Sequence, residues 1–351
     1  MPTLIPVTAV FDIGKTNKKF LLFDRALKVM EKEYITLEEK TDEDGFPCED
    51  LDRLTEWMDD QLHRVLKEEK YRITTLNFST FGASLIHLNE EGDRVTPLYN
   101  YLKPFPEKLL KIFYNRYGGR EKFALETASP PMGMLNSGLQ LYWLKHKKPD
   151  VFNKISTSLH FPQYLSYRYT GSAVSELTSI GCHTGLWNFR QTGYHKWVEK
   201  ESISELLPEI VSADFTSKGR FRGNEFDTGT GIHDSSAALV PYLYGLDESF
   251  MLLSTGTWNI AMNPFNAEPL TFEELAKDCL NFIKIYGEPV KAARFFLGNE
   301  YAHQKKKIGE YFNRDEEITL DPALLIKLIG ENDPAKKLKL ETAHTSGPYP
   351  V

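Results

Sequence analysis

Short apolar runs separated by polar turns dominate the start of the chain. Residues 7–12 and 19–23 are apolar and flank the polar, glycine-containing turn 14–17, a pattern that predicts a β-hairpin. Residues 51–69 carry apolar side chains at helical spacing, which predicts an amphipathic helix. The apolar run 73–78 predicts another strand. Because strands alternate with helices, the pattern favours an α/β fold.

A second strand–turn–strand pattern occurs at residues 251–262, with the polar turn at 254–257. It resembles the first hairpin in length and turn chemistry, which indicates a two-lobe protein with one such turn in each lobe. Residues 138–169 and 271–286 predict helices, and residues 227–231 predict a glycine-rich loop before another helix.

Composition excludes several classes of protein. The 351 residues carry a net charge of −7 in mixed clusters, which argues against nucleic acid as a partner. Three cysteines without Cys-x-x-Cys spacing argue against a zinc site or a disulfide framework. No export signal and no membrane-length apolar run are visible. We therefore expect a cytoplasmic protein without membrane contact.

Single-motif phosphate and hydrolase sites do not fit. Gly14-Lys15-Thr16 looks like the end of a Walker A loop, but the earlier glycine that this loop requires would stand at Ala9. The sequence also has no complete dinucleotide fingerprint, no His-Glu-x-x-His and no Gly-x-Ser-x-Gly.

Two hairpin turns can cradle phosphates in another way. Backbone N–H groups suit delocalised negative charge, and Asp12 at the end of the first strand can hold Mg²⁺ through water. Phosphoryl transfer further needs a carboxylate that accepts the proton of the acceptor hydroxyl. Asp234, at a loop-to-helix junction, can serve as that base. An ordinary helix N-cap is an equally good interpretation of Asp234 from spacing alone.

Five segments carry a family resemblance. Phe-Asp-Ile-Gly-Lys-Thr-Asn at 11–17 resembles the first phosphate motif of FGGY carbohydrate kinases, which belong to the actin-like ATPase superfamily. Gly-Thr-Gly-Ile-His-Asp-Ser-Ser-Ala-Ala at 229–238 is similar to the family's catalytic-aspartate motif, and Ser-Thr-Gly-Thr-Trp at 254–258 to its second phosphate motif. The segments 165–171 and 176–186 also match in order and spacing. Rhamnulokinase-like and fuculokinase-like members look most similar.

The resemblance implies a ribonuclease-H-like α/β fold with a sugar-binding lobe at 1–245 and an incomplete nucleotide-binding lobe at 246–351. It implies ATP- and Mg²⁺-dependent phosphorylation of a small-molecule sugar, a ketose or 6-deoxyketose such as L-rhamnulose or L-fuculose. A homodimer is compatible with it. The implied residues are Asp234 as catalytic base, Asp12 for Mg²⁺, Asp12, Gly14, Lys15, Thr16, Asn17, Lys18, Gly256 and Thr257 for ATP, and Thr80, Phe81, Gly82, Ala83 and His233 for the sugar.

Departures from the family pattern leave alternatives open. Lys15 replaces the usual Thr or Ser and either pairs with phosphates or points to solvent, which is the favoured interpretation. His233 is either a sugar contact or a core residue. Residues 97–100 lack the Trp and acid of many relatives, and no adenine-binding Gly-Gly motif is visible, so the chain is a fragment or has a short second lobe. Two other functions remain: a non-catalytic binding fragment, and an actin-like or chaperone-like ATPase that turns over ATP without sugar.

Overall fold

The computed structural model describes residues 4–255, 259–295 and 297–313, together with Ala323 and Lys327. The predicted phosphate contacts Gly256 and Thr257 lie outside the described residues. The strands are β1 (Ile5–Ile13), β2 (Lys18–Phe23), β3 (Val29–Ile35), β4 (Lys40–Thr41), β5 (Pro47–Cys48), β6 (Tyr71–Thr80), β7 (Leu85–Leu88), β8 (Thr157–His160), β9 (Ser175–Glu176), β10 (Trp187–Asn188), β11 (Gly193–Tyr194), β12 (Ile210–Val211), β13 (Thr216–Phe221), β14 (Asn224–Gly229), β15 (Ile232–His233), β16 (Leu252–Ser254), β17 (Asn259–Asn263), β18 (Cys279–Ile283) and β19 (Pro289–Phe295). The helices are α1 (Leu51–Lys67), α2 (Glu107–Arg116), α3 (Arg120–Thr127), α4 (Gly138–Lys147), α5 (Pro149–Phe152), α6 (Phe161–Thr170), α7 (Leu177–Ile180), α8 (Lys196–Lys200), α9 (Asp234–Gly245), α10 (Phe272–Ala276) and α11 (Leu297–Phe312).

A seven-stranded mixed sheet, in the order β13-β14-β6-β1-β2-β3 with β15 also paired to β6, forms the centre of the molecule. β1 and β2 are the predicted antiparallel hairpin. β6 runs parallel to β1, and β15 runs parallel to β6. Because parallel strands end at the same edge of a sheet, the ends of β1, β6 and β15 place Asp12, Phe81 and His233 close together.

The sheet is stable because alternate side chains of β1 pack into a hydrophobic core. Val7, Ala9, Phe11 and Ile13 are all buried, as the period of two in a strand requires. The buried face of α1 covers them, and its Asp50 N-cap accepts a hydrogen bond from the backbone N–H of Arg53. The hairpin that precedes the site is therefore anchored on a rigid layer.

A four-stranded sheet, β16-β17-β19-β18, follows α9. Its β16–β17 pair is the second predicted hairpin. The Ser236 hydroxyl donates to the carbonyl oxygen of Ile283 at 2.8 Å, which ties the start of α9 to β18. A Cβ on Gly181 would lie 2.4 Å from the Ile283 side chain, so the two parts pack closely here.

Three sequence-based expectations were wrong in detail. The helix predicted at 271–286 is confined to α10, because Asp278 adopts a left-handed φ of 59° and the following apolar run pairs as β18. The helical stretch 138–169 is interrupted by β8, and the loop 227–231 begins only after β14 ends at Gly229. Of the helices in the described ranges, none combines the length and apolarity needed to span a bilayer.

Candidate active site

Asp234 is the first residue of α9, directly after β15. Its Oδ1 accepts a hydrogen bond from the Ser235 backbone N–H at 2.6 Å and lies 3.2 Å from Nε2 of His233. The residue at the N-cap position is His233, and its side chain makes no capping hydrogen bond. The Asp234 side chain keeps 36% of its surface exposed. It is thus a carboxylate that is held in place and still open to a ligand.

The surroundings of Asp234 bring its pKa close to neutral pH. Desolvation by the surrounding protein raises the pKa of this partly exposed carboxyl group to about 7, and the like charge of Asp12 adds to this effect. The Ser235 hydrogen bonds and the positive charge of Lys19 oppose the rise. A carboxylate with a pKa near the working pH is suited to accept and release a proton.

His233 is 4% exposed and lies between the base and the protein interior. Its Nε2 is 3.1 Å from Sγ of Cys182 as well as 3.2 Å from Asp234. Burial, with a contribution from His160, lowers the pKa of His233 to about 3, so the ring is neutral. The neutral imidazole can donate its Nε2 proton to Asp234 and orient the carboxylate.

Lys19 is a site residue that the sequence analysis missed. Its Nζ lies 2.8 Å from Oδ2 of Asp12, its direct cross-strand partner in the hairpin. This hydrogen bond raises the pKa of Lys19, and Asp234 adds to the effect. Opposite charges facing each other across a predicted hairpin are a signal that could have identified the pair.

The first hairpin turn offers polar groups beyond the Asp12–Lys19 pair. The Gly14 N–H donates to the Asn17 carbonyl at 3.0 Å, which closes the turn. Thr16 and Asn17 are exposed at its tip, so their side chains can reach a ligand.

The side chain of Lys18 differs from the expectation that this residue contacts phosphate. It is 1% exposed, and its Nζ is bound to the Lys15 carbonyl at 2.8 Å and to Glu49 at 3.1 Å. Its side chain therefore supports the turn and cannot contact phosphate.

Lys15 does not point to solvent, and this expectation was wrong. Its Nζ lies 2.5 Å from Oε1 of Glu39 and 2.8 Å from Oε1 of Glu49. Burial alone would lower the pKa of Lys15, but the two carboxylates outweigh it and hold the pKa above its ordinary value. The position of the family's Thr or Ser therefore carries a cation neutralised by protein carboxylates.

The loop after β6, to which the resemblance assigned sugar contacts, lies beside His233, but several of its members are buried. Thr80 is completely buried and donates its hydroxyl to the Phe81 carbonyl at 2.9 Å, so it supports the loop instead of lining a pocket. Ala83 is also buried, at 2% exposure. A Cβ on Gly82 would lie 2.4 Å from Sγ of Cys182 and 3.1 Å from the His233 ring. Gly82 therefore allows the loop to approach His233.

A buried chain of hydrogen bonds supports the base from behind. The His233 N–H donates to the Thr178 hydroxyl at 3.0 Å, and that hydroxyl donates to Oε2 of Glu176 at 2.5 Å. On the other side, Nε2 of Gln163 donates to the Gly231 carbonyl at 2.7 Å. These residues fix the segment that carries Asp234.

The carboxylate of Asp12, whose side chain is 30% exposed, fits a magnesium ion brought in with a nucleotide. In the part of the chain that the structure describes, no group of three or more His, Cys, Asp or Glu side chains could form a closed metal cage. Mg²⁺ commonly keeps several waters and binds through one or two carboxylates together with substrate phosphates. Asp12 near the end of β1 and Asp234 directly after β15, two strands that both run parallel to β6, match that requirement.

Comparison with known proteins identifies the family. The family model for the N-terminal domain of the FGGY family of carbohydrate kinases matches residues 7–218. The chain belongs to this family. The model for the FGGY C-terminal domain matches residues 247–326.

The fold and the sequence are both similar to those of FGGY kinases. The structure of a carbohydrate kinase from Novosphingobium aromaticivorans superposes with a TM-score of 0.76 at 29% identity, covering 87% of this chain and 66% of that one. A ligand-bound xylulose kinase from Lactobacillus acidophilus, at 17% identity, has a TM-score of 0.73 over 86% of this chain and 62% of its own. This likeness shows the fold, which is the mixed α/β fold of actin-like ATPases.

A curated relative, the rhamnulokinase of Oceanobacillus iheyensis, is 24% identical over 237 residues, covering 62% of this chain and 47% of that protein. The chain spans about half the length of the first curated relatives that it matches.

Proposed function

We propose that the protein transfers the γ-phosphate of ATP to a hydroxyl group of a ketose or 6-deoxyketose, with Asp234 as the general base. The observation that carries the proposal is the place of Asp234 at the start of α9, beside the Asp12–Lys19 pair, with its pKa raised to about 7. The similarity to rhamnulokinases supports the substrate class.

In the proposed reaction, the sugar hydroxyl oxygen attacks the γ-phosphorus while the bond to the β-phosphate oxygen breaks. Asp234 accepts the hydroxyl proton, and ADP leaves. His233 orients the carboxylate by donating from Nε2, and the Thr178 hydroxyl holds the His233 backbone. The enzyme thus contributes mainly position and charge, which are the principal needs of phosphoryl transfer.

We assign the phosphate side of the site to the first hairpin turn. Thr16 and Asn17 offer donors to phosphate oxygens, Gly14 closes the turn that carries them, and Lys19 offers a positive charge beside Asp12. Asp12 would hold Mg²⁺ through water, and the ion would neutralise phosphate charge. We further propose that Gly256 and Thr257 contact phosphate from the second hairpin, and that residues 1–245 form the sugar-binding lobe and residues 246–351 a partial nucleotide-binding lobe.

Sugar-stimulated ADP release tests the proposal. The purified chain is assayed with Mg-ATP against a panel of ketoses, 6-deoxyketoses and polyols, beside Asp234→Asn. Asp227→Asn is the matched control, because Asp227 is a strand aspartate with 51% of its side chain exposed and an ion pair to Lys218. We expect stimulation by one sugar class in the wild type and the control, and none in Asp234→Asn. If no sugar in the panel changes the rate of ADP release, the proposed kinase activity is contradicted.

A further inference from the structure

The side chains of Lys15, Glu39 and Glu49, called here the Lys15 cluster, form a charged group next to Phe81 in the loop after β6. Nζ of Lys15 lies 5.8 Å from the centre of the Phe81 ring and 5.9 Å from that of Tyr101. The two rings meet edge to face at 6.1 Å. Lys15 therefore belongs to the wall that Phe81 and Tyr101 form.

The same wall is electrostatically connected to the base. Burial raises the pKa of Tyr101 to about 12; the positive charge of Lys15 opposes this rise, whereas Asp234 adds to it. Geometry connects this wall to the base as well: a Cβ on Gly82, the neighbour of Phe81, would lie 3.1 Å from the His233 ring, and Nε2 of His233 lies 3.2 Å from Asp234. A sugar whose reacting hydroxyl is at Asp234 would extend along Tyr101 toward Lys15.

The Lys15 side chain is not needed to fasten the hairpin turn. Lys18 already does so, since its buried Nζ binds both the Lys15 carbonyl and Glu49. Lys15 keeps 25% of its side chain exposed and Glu39 keeps 38%, so both remain accessible. An ion pair that is partly exposed and redundant for packing is available for recognition.

We propose that the Lys15 cluster determines sugar specificity by binding a terminal hydroxymethyl group, so that the preferred substrate is a ketose with an intact terminal hydroxyl and not its 6-deoxy counterpart. This inference rests on the proposed sugar kinase function.

Hydrogen-bond inventory supports a hydroxyl as the ligand. An ammonium group has three donors, and within the described residues Nζ of Lys15 uses two of them, on Glu39 and Glu49. Asn100 and Lys15 both bind Oε1 of Glu39, which leaves Oε2 to accept. A hydroxyl both donates and accepts, so it can satisfy the two groups together.

Charge argues against an acidic sugar, and desolvation argues against a methyl group. The cations Lys15 and Lys18 face the anions Glu39 and Glu49, so their charges sum to zero and give no net attraction for a carboxylate. A methyl group would cover the Lys15 donor and the Glu39 acceptor without bonding to them. Sites built to bond a hydroxyl reject analogues that lack it.

The test uses sugar pairs that differ only in this hydroxyl: L-fructose with L-rhamnulose, its 6-deoxy form, and L-tagatose with L-fuculose. Binding is measured by calorimetry, and kcat/KM by ADP release. We expect the wild type to prefer the hydroxylated member of at least one pair by about 10- to 100-fold, the cost of one unsatisfied buried group. Lys15→Met and Glu39→Gln should each reduce this preference to about threefold or less.

Lys148→Met is the matched control. Nζ of Lys148 lies 2.5 Å from Glu43 and 2.8 Å from Asp44, and it stands over the rings of Tyr99 and Trp143. It repeats the chemistry of the Lys15 cluster outside the proposed site, so this variant should keep the wild-type preference. Glu39→Gln, at a half-exposed residue, keeps the test valid if Lys15→Met does not fold.

Each other outcome contradicts the inference. Equal or better use of the 6-deoxy sugars by the wild type would overturn the inference and leave the kinase function standing. A preference that survives both Lys15→Met and Glu39→Gln would overturn the role of the cluster. If no sugar binds or reacts, the proposed function itself is wrong and the inference falls with it.

Discussion

The backbone N–H of His233 donates to the hydroxyl of Thr178 at 3.0 Å, although the two residues lie 55 positions apart in the sequence. The same hydroxyl has a single proton, and it is given to Glu176. The hydrogen bonds therefore run in one direction, from His233 through Thr178 to a buried carboxylate. This chain connects α7 to the residue that precedes the proposed base.

Replacing Thr178 tests this support. We expect Thr178→Val to lower the free energy of unfolding by about 1–3 kcal/mol, because the buried His233 N–H loses its acceptor. We also expect kcat to fall, since Asp234 is no longer held in place. Denaturant titration and steady-state kinetics measure the two effects.

Thr178→Ser keeps the hydroxyl and serves as the control for Thr178→Val. It should retain most of the stability and activity. A valine variant as active as the serine variant would show that the hydrogen bond does not position the base.

The pH dependence of kcat/KM should report the ionisation of Asp234. The base must be deprotonated, and its pKa is raised to about 7, so activity should rise with pH through about 7. Lys19→Met removes a cation that lowers the pKa of Asp234, so the rise of kcat/KM should move to higher pH. Asp12→Asn removes a like charge that raises the pKa of Asp234, so the rise of kcat/KM should move to lower pH. Shifts in the same direction for both variants would contradict this electrostatic account.

Gly82 should tolerate no side chain without a matching change. A Cβ there would lie 2.4 Å from Sγ of Cys182, and overpacking of this kind costs about 1–3 kcal/mol. Gly82→Ala should therefore lower stability, as measured by denaturant titration.

Adding Cys182→Ala to Gly82→Ala should recover part of the loss, because the sulfur is the nearest atom. The double mutant should be more stable than the sum of the single changes predicts. Additive losses would show that the loop relaxes elsewhere.

Glu49 should matter more for stability than Lys15. Its side chain is 6% exposed and pairs with the buried Nζ of Lys18, and removal of one partner from such a pair typically costs about 3 kcal/mol or more. We expect Glu49→Gln to lower the free energy of unfolding by about that amount. Lys15→Met should cost less, because it leaves the Lys18–Glu49 pair intact. Equal losses for the two variants would contradict this ranking.

Local patterns sufficed to predict the elements that carry the site. The first hairpin and α1 follow from apolar spacing within a few residues, and Asp234 follows from a short motif at a helix start. The segment 271–286 was assigned wrongly because a short apolar run fits a buried strand as well as a helix. The pairing of β18 with β19 decided the outcome.

Contacts between distant residues could not be predicted in this way. Lys15 binds Glu39 and Glu49, which lie 24 and 34 positions away, and nothing in its own neighbourhood indicates those partners. The burial of Thr80 depends likewise on how β6 packs. The Asp12–Lys19 pair is different, because hairpin register alone places the two residues opposite each other.

The most direct test of the account is ³¹P NMR of the chain with Mg-ATP and a sugar from the panel, comparing the wild type with Asp234→Asn. The account predicts that a sugar phosphate resonance grows as the γ-phosphate resonance of ATP declines in the wild type, and that neither changes in the variant. Release of inorganic phosphate without sugar phosphate, or equal sugar phosphate formation by Asp234→Asn, would contradict it.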